Sequence, residues 1–131
     1  MASLIITSGD QEGRFYPLGR RTHVIGRDEA PLIQILDNLV SRKHMQIRYD
    51  EKTRKHCVFD MKSSNGVYVN QNKITGETVL VDDDVISIGK TSLLFTEKDF
   101  DDRDSAFRHY RKAGERMRVT SYEPRESRID Q

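Results

Sequence analysis

The chain has almost no cysteine. One thiol, Cys57, stands in 131 residues. That excludes an internal disulfide and a cysteine-built zinc site, and it suits a reducing compartment. Tryptophan is absent and proline occurs three times. No apolar stretch approaches the ~18 residues that a membrane helix needs. The start, Met1-Ala2-Ser3-Leu4-Ile5-Ile6-Thr7, is too short for a signal peptide and lacks its basic first segment. An excess of charge of either sign is missing too. Twenty-two Lys and Arg face 21 Asp and Glu, a formal net charge of +1. A whole-molecule field that would attract nucleic acid or an anionic membrane is therefore excluded. The expectation is a soluble, cytoplasmic chain of one domain with a short appendage, partnered neither by nucleic acid nor by membrane.

Catalytic patterns are lacking as well. The four histidines, His23, His44, His56 and His109, show no metal-ligand spacing. Cys57 lies in an apolar run. Asp82-Asp83-Asp84 lacks the alternation of a calcium loop and reads as a solvated turn. There is no glycine-rich nucleotide loop. The chain is expected not to be an enzyme and to need neither cofactor nor metal.

What the sequence does hold, up to about Glu97, is a series of short apolar runs with a period near two. Leu4–Ile6, Arg14–Leu18, Thr22–Gly26, Ile33–Ile35, His44–Tyr49 and Cys57–Phe59 read as strands. So do Val67–Val69, Lys73–Thr75, Thr78–Leu80, Val85–Ile88 and Leu93–Phe95. Turn chemistry fills the gaps, among them Asp50-Glu51-Lys52, Asn65-Gly66, Thr75-Gly76-Glu77 and Gly89-Lys90. Many short strands at such spacing predict an all-β sandwich rather than alternating β and α units. The domain is set at residues 2–97. A charged tail follows over 98–131, with a helix predicted over Ser105–Met117 and a polar end that carries Pro124.

Three motifs fall at strand ends. Gly26-Arg27 closes the third run. Arg27 carries a planar fork of donors that matches phosphate oxygens two at a time. Gly26 lets the chain leave its strand tightly or take positive φ. Ser41-Arg42-Lys43-His44 opens the fifth run. A serine hydroxyl and the following N–H can donate to an anion, the two basic residues add positive potential, and His44 is placed to brace the loop. Ser64-Asn65-Gly66 is a turn in which the asparagine carboxamide can hold the main chain of an extended peptide. Asn70, after Val67-Tyr68-Val69, is expected to brace a neighbouring loop. Each motif alone also fits a plain surface turn. In this order they suggest a pocket for a phosphate carried on a peptide.

That ordered set resembles the forkhead-associated (FHA) domain family, over about Ser3 to Thr96. The flanks agree: Gly13-x-x-Tyr16-x-Leu18, Asp28-Glu29, and Leu80-Val81-Asp82-Asp83-Asp84-Val85-Ile86-Ser87-Ile88-Gly89. Ser64 stands where the family often has threonine, and Gln71 where it often has glycine. The resemblance implies an eleven-stranded β-sandwich with recognition loops at one end, and binding of phosphothreonine peptides in kinase signalling. It implies that Arg27 and Ser41 contact the phosphate with support from Arg42 or Lys43. Ser64 and Asn65 would hold the peptide, while Gly26, His44 and Gly66 would be structural; Asn70 is set beside them at the site as a structural residue on its bracing chemistry alone. A phosphate-independent scaffolding module is the alternative. The partner implied is a threonine-phosphorylated protein. Thr120, after Arg116-Met117-Arg118-Val119 and three residues before Glu123, is a further candidate, as a phosphosite that returns to its own pocket.

Overall fold

A computed structural model of the chain describes residues 2–9, 11–29 and 33–97. The predicted tail helix and Thr120 lie outside the described residues. Within them there are eleven strands and no helix. The strands are β1 (Ser3–Ile6), β2 (Phe15–Pro17), β3 (His23–Gly26), β4 (Ile33–Gln34), β5 (Met45–Asp50) and β6 (Lys55–Asp60). They continue as β7 (Tyr68–Val69), β8 (Asn72–Lys73), β9 (Thr78–Val79), β10 (Val85–Ile88) and β11 (Thr91–Thr96). Every apolar run identified in the sequence becomes one of them.

Two sheets form. One has the order β2-β1-β11-β10-β7-β8, the other β4-β3-β5-β6-β9. β4 runs parallel to β3, and the other pairings among the described residues are antiparallel. Alternation decides which face is buried. On β5, Met45 and Ile47 are buried while Gln46 and Arg48 are only partly so; on β10, Ile86 and Ile88 point inward. These side chains meet Leu4, Ile6, Ile25, Val58, Leu93 and Phe95 in one core between the sheets. β1 is buried at all four positions. Its outward Ile5 packs with Leu94 under Phe15 and Val85, so the centre of the six-stranded sheet is covered on both faces.

Some strands are short because turns follow at once. β7 and β8 are joined through Asn70 and Gln71, with φ of 51° and 73°, and Val69 pairs with Asn72. This is a two-residue hairpin turn that needs positive φ at both central positions. Gln71 is the costly member. An L-residue in the left-handed region loses about 1–2 kcal/mol, against about 0.5–1 kcal/mol for the extra unfolded-state freedom of glycine. Gln71→Gly should therefore raise stability by about 0.5–1 kcal/mol in denaturant titration, with no change of fold.

His56 contributes a pH dependence. Its Nε2 lies 2.9 Å from the Gly19 carbonyl, and its ring packs against Tyr49 and Phe95 at centroid distances of 5.1 and 5.6 Å. Burial pushes the imidazole pKa down from its usual 6.5, and the Gly19 bond only partly opposes this. Between the two pKa values the unfolded chain binds more protons, so stability is lost there as the pH is lowered. The loss should begin as pH drops through about 6.5 and continue until the lower, folded pKa is passed. Melting temperatures between pH 7.5 and 5 check this, and His56→Gln should flatten the slope.

Candidate functional site

Gly26 and Arg27 leave β3 against the segment that precedes β5. The Arg27 N–H donates to the Ser41 carbonyl at 3.0 Å, and the Asp28 N–H to that of Arg42 at 3.2 Å. A Cβ on Gly26 would lie 2.1 Å from the Arg42 carbonyl oxygen. Gly26 is not among the residues with positive φ. Of its two suggested roles, close approach is therefore the one the backbone uses.

This path sets the arginine. Its Nε donates to the Val40 carbonyl at 3.0 Å, while the side chain stays exposed. Its terminal nitrogens make no hydrogen bond among the described residues, so the two-pronged end faces solvent. Pinning Nε fixes the plane in which the two terminal nitrogens can meet an oxyanion.

The loops from β4 to β5 and from β6 to β7 are joined by His44. This ring is fully buried. The Ser41 N–H donates to Nδ1 at 2.9 Å. A backbone N–H can only donate, so Nδ1 is the acceptor and Nε2 carries the ring hydrogen. That hydrogen goes to the Gly66 carbonyl, 2.7 Å away. Across the top of the same junction, the Ser64 N–H donates to Ser41 Oγ at 3.0 Å. The Ser41 hydroxyl thus has an acceptor position filled and its own hydrogen left to give. Asn65 Nδ2 donates to the Leu39 carbonyl at 2.8 Å, which ties the two loops a third time. Gly66 takes a φ of 85°, and its N–H donates to Ser63 Oγ at 2.9 Å.

Gly26, Arg27, Ser41, His44, Ser64, Asn65 and Gly66 are thus brought into one bonded cluster. Arg42 and Lys43 sit on its rim, exposed, and their side chains form no ion pair among the described residues. Asn70 is not brought there. Its side chain donates to Asp84 Oδ1 at 2.8 Å and accepts from the Val85 N–H at 2.9 Å, at the end of β10 opposite the Gly89-Lys90 turn. Sequence reasoning missed the carbonyls of Leu39 and Val40, which hold Asn65 and Arg27. It also missed Ser63, and Asp60, whose Oδ1 accepts the Ser63 N–H at 2.9 Å. Ser63, three residues before Gly66, is a side-chain-to-backbone turn signal that was there to find.

A family model described as FHA domain matches residues 23–89, just over half of the chain. The chain belongs to the FHA domain family. FhaA, an FHA domain-containing protein of Mycobacterium tuberculosis, is 34% identical over 92 residues, 70% of this chain and 17% of FhaA. The crystallised FHA domain of FhaA, in complex with the intracellular domain of Rv3910, is 30% identical, with a TM-score of 0.64 over 72% of this chain and 99% of that one. The oxoglutarate dehydrogenase inhibitor of Corynebacterium diphtheriae is 35% identical over 94 residues, 72% of this chain and 64% of the inhibitor. The chain thus spans less than two thirds of these full-length relatives. A solved structure from work on phosphothreonine-dependent FHA domain interactions is 29% identical, with a TM-score of 0.66 over 76% of this chain and 98% of that one. The relatives' names describe an FHA domain-containing protein and an inhibitor, not enzymes.

The cluster yields one prediction on its own. If His44 holds the two loops, His44→Ala leaves the buried Gly66 carbonyl without its partner, at about 1–3 kcal/mol, and the part-buried Ser41 N–H without its own at a smaller cost. The melting temperature should drop by several degrees. An unchanged melting temperature would show that the loops hold themselves.

Proposed function

We propose that this chain is a phosphopeptide-binding module that recognises a phosphothreonine in an extended segment of a protein phosphorylated by a serine/threonine kinase. The observation that carries the reading is the Arg27–Ser41 pair. An exposed guanidinium, fixed through Nε, offers its two terminal nitrogens, and the Arg27 backbone is bonded to Ser41, whose hydroxyl hydrogen is free. These donors suit a tetrahedral dianion and have little to offer a neutral hydroxyl. Arg42 and Lys43 add positive potential at the rim. Ser64 and Asn65 flank the pocket on the second loop, where they can hold the main chain of the ligand on either side of the phosphate. Membership of the FHA family, and relatives solved with a partner domain or in phosphothreonine-dependent work, support the same reading.

Charged hydrogen bonds contribute about 1.5–3 kcal/mol each, so Arg27→Ala should weaken binding of a phosphothreonine peptide by about tenfold to a hundredfold. Arg27→Lys should restore only part, because an ammonium keeps the charge but not the fork. Calorimetric titration of the phosphorylated peptide, beside the unphosphorylated one, is the measurement. Equal affinity for both peptides, or full affinity in Arg27→Ala, would replace phosphate reading with phosphate-independent scaffolding.

A further inference from the structure

The loop between β4 and β5 supplies Leu39, Val40 and Ser41 to the site, and the site's own contacts do not explain how the root of that loop is held. Asp37 stands there. Its Oδ1 accepts the Leu39 N–H at 2.9 Å. Its Oδ2 accepts the Lys90 N–H at 2.7 Å and the Thr91 hydroxyl at 2.8 Å. Its carbonyl accepts the Val40 N–H at 3.0 Å. One residue thus folds the loop back on itself and ties it to the β10–β11 turn of the other sheet. The approach is close: a Cβ on Gly89 would lie 2.8 Å from Asp37 Oδ2. Gln11 secures the residue before it, taking the Leu36 N–H on Oε1 at 2.8 Å and giving Nε2 to the Gln34 carbonyl at 3.1 Å. Burial opposes the Asp37 charge, but the bonds from Leu39, Thr91 and Lys90 outweigh it, and the carboxyl lies below its usual pKa.

We propose that Asp37 is a positioning residue for phosphate recognition, fixing the Leu39 and Val40 carbonyls that in turn orient Asn65 and Arg27. A carboxylate would repel a phosphate, so its effect on binding runs through the loop rather than through contact. This inference rests on the phosphopeptide reading above. An asparagine in its place loses the charge and turns one acceptor into a donor facing the Lys90 N–H or the Leu39 N–H.

The test uses the full chain, with Asp37→Asn and Asp37→Ala beside Phe95→Leu. Phe95 is fully buried in the core and pairs with Leu4, away from the loops. The ligand is a synthetic peptide with one phosphothreonine between alanine flanks. Two quantities are read: its affinity by calorimetry, and hydrogen exchange at the Ser41 and Ser64 amides without peptide. Asp37→Asn should weaken affinity by about tenfold and speed exchange at both amides. Phe95→Leu should lower the melting temperature while affinity stays within about twofold. Unchanged affinity and exchange in Asp37→Asn would overturn the proposal. So would a Phe95→Leu protein that loses as much affinity for the same drop in melting temperature, since Asp37 would then be merely stabilising. If the unmutated chain does not bind the peptide, the phosphopeptide reading fails. The amide exchange then decides alone whether Asp37 sets the loop: faster exchange in the variant upholds it, and equal exchange overturns it. Should Asp37→Ala not fold, Asp37→Asn carries both readouts.

Discussion

One buried imidazole holds the recognition end together. His44 takes a hydrogen bond from one loop and gives one to another, with no exposure to water. Few side chains can do both from a rigid ring. The two groups it satisfies, an N–H and a carbonyl, belong to loops that have no ladder with each other. Left without it, the Gly66 carbonyl would be a buried polar atom without a partner, which folded chains largely avoid, and the part-buried Ser41 N–H would lose its acceptor. The Ser41 Oγ bond from Ser64 and the Asn65 bond to Leu39 close the same junction from its exposed side. They depend on the spacing that the ring imposes.

The division between main chain and side chain follows from this. Carbonyl groups do the holding: Val40 for Arg27, Leu39 for Asn65, Arg42 for the close pass over Gly26. Side-chain donors are then left over for a ligand. A flexible arginine would lose much of its rotamer freedom on binding. One already pinned at Nε has given up part of that freedom on folding. The same economy explains why the loops leave from strand ends, where β3, β5 and β6 set their origins to within one ladder register.

The strands were legible because burial on one face writes a period of two into runs such as β5 and β10, while the central strands β1 and β11, covered on both faces, read as short continuous apolar runs. The ends were less legible. Ile35 and Leu80 read as strand residues and are fully buried, yet they stand just outside β4 and β9. Hydrophobicity reports the core, not the last ladder bond. At the site, the residue types with special chemistry could be read: Arg27, Ser41, His44 and Asn65. Their anchors could not, since a carbonyl belongs to every residue and Leu39 or Val40 carries no mark of it. Asp37 was a missed signal of another kind. An aspartate two residues before a turn N–H is a common local motif, but its second bond crosses to Lys90, 53 residues on, and no spacing rule announces that. Asn70 shows the reverse error. Its bracing chemistry was readable, but its position at the far end of β10 was not, because a strand of two residues gives little hint of direction.

The donors of the pocket are exposed rather than buried, and this shapes what binding can achieve. An empty site with Arg27 in water carries no unpaired buried charge, so the free chain is not strained while it waits. On the phosphopeptide reading the gain on binding is correspondingly limited, since a hydrated phosphate and a hydrated guanidinium each give up good interactions to meet. The net charge of +1 adds no long-range pull, and at physiological salt fields fade over about 8 Å. Recognition therefore rests on contact geometry rather than steering, and association rates should be those of ordinary partners. On the same reading, affinity is set by whether a phosphate is present and whether the loops are already in place. On the phosphopeptide reading, a site built this way answers to the addition or removal of one phosphate, because the donors left free on Arg27 and Ser41 suit a dianion.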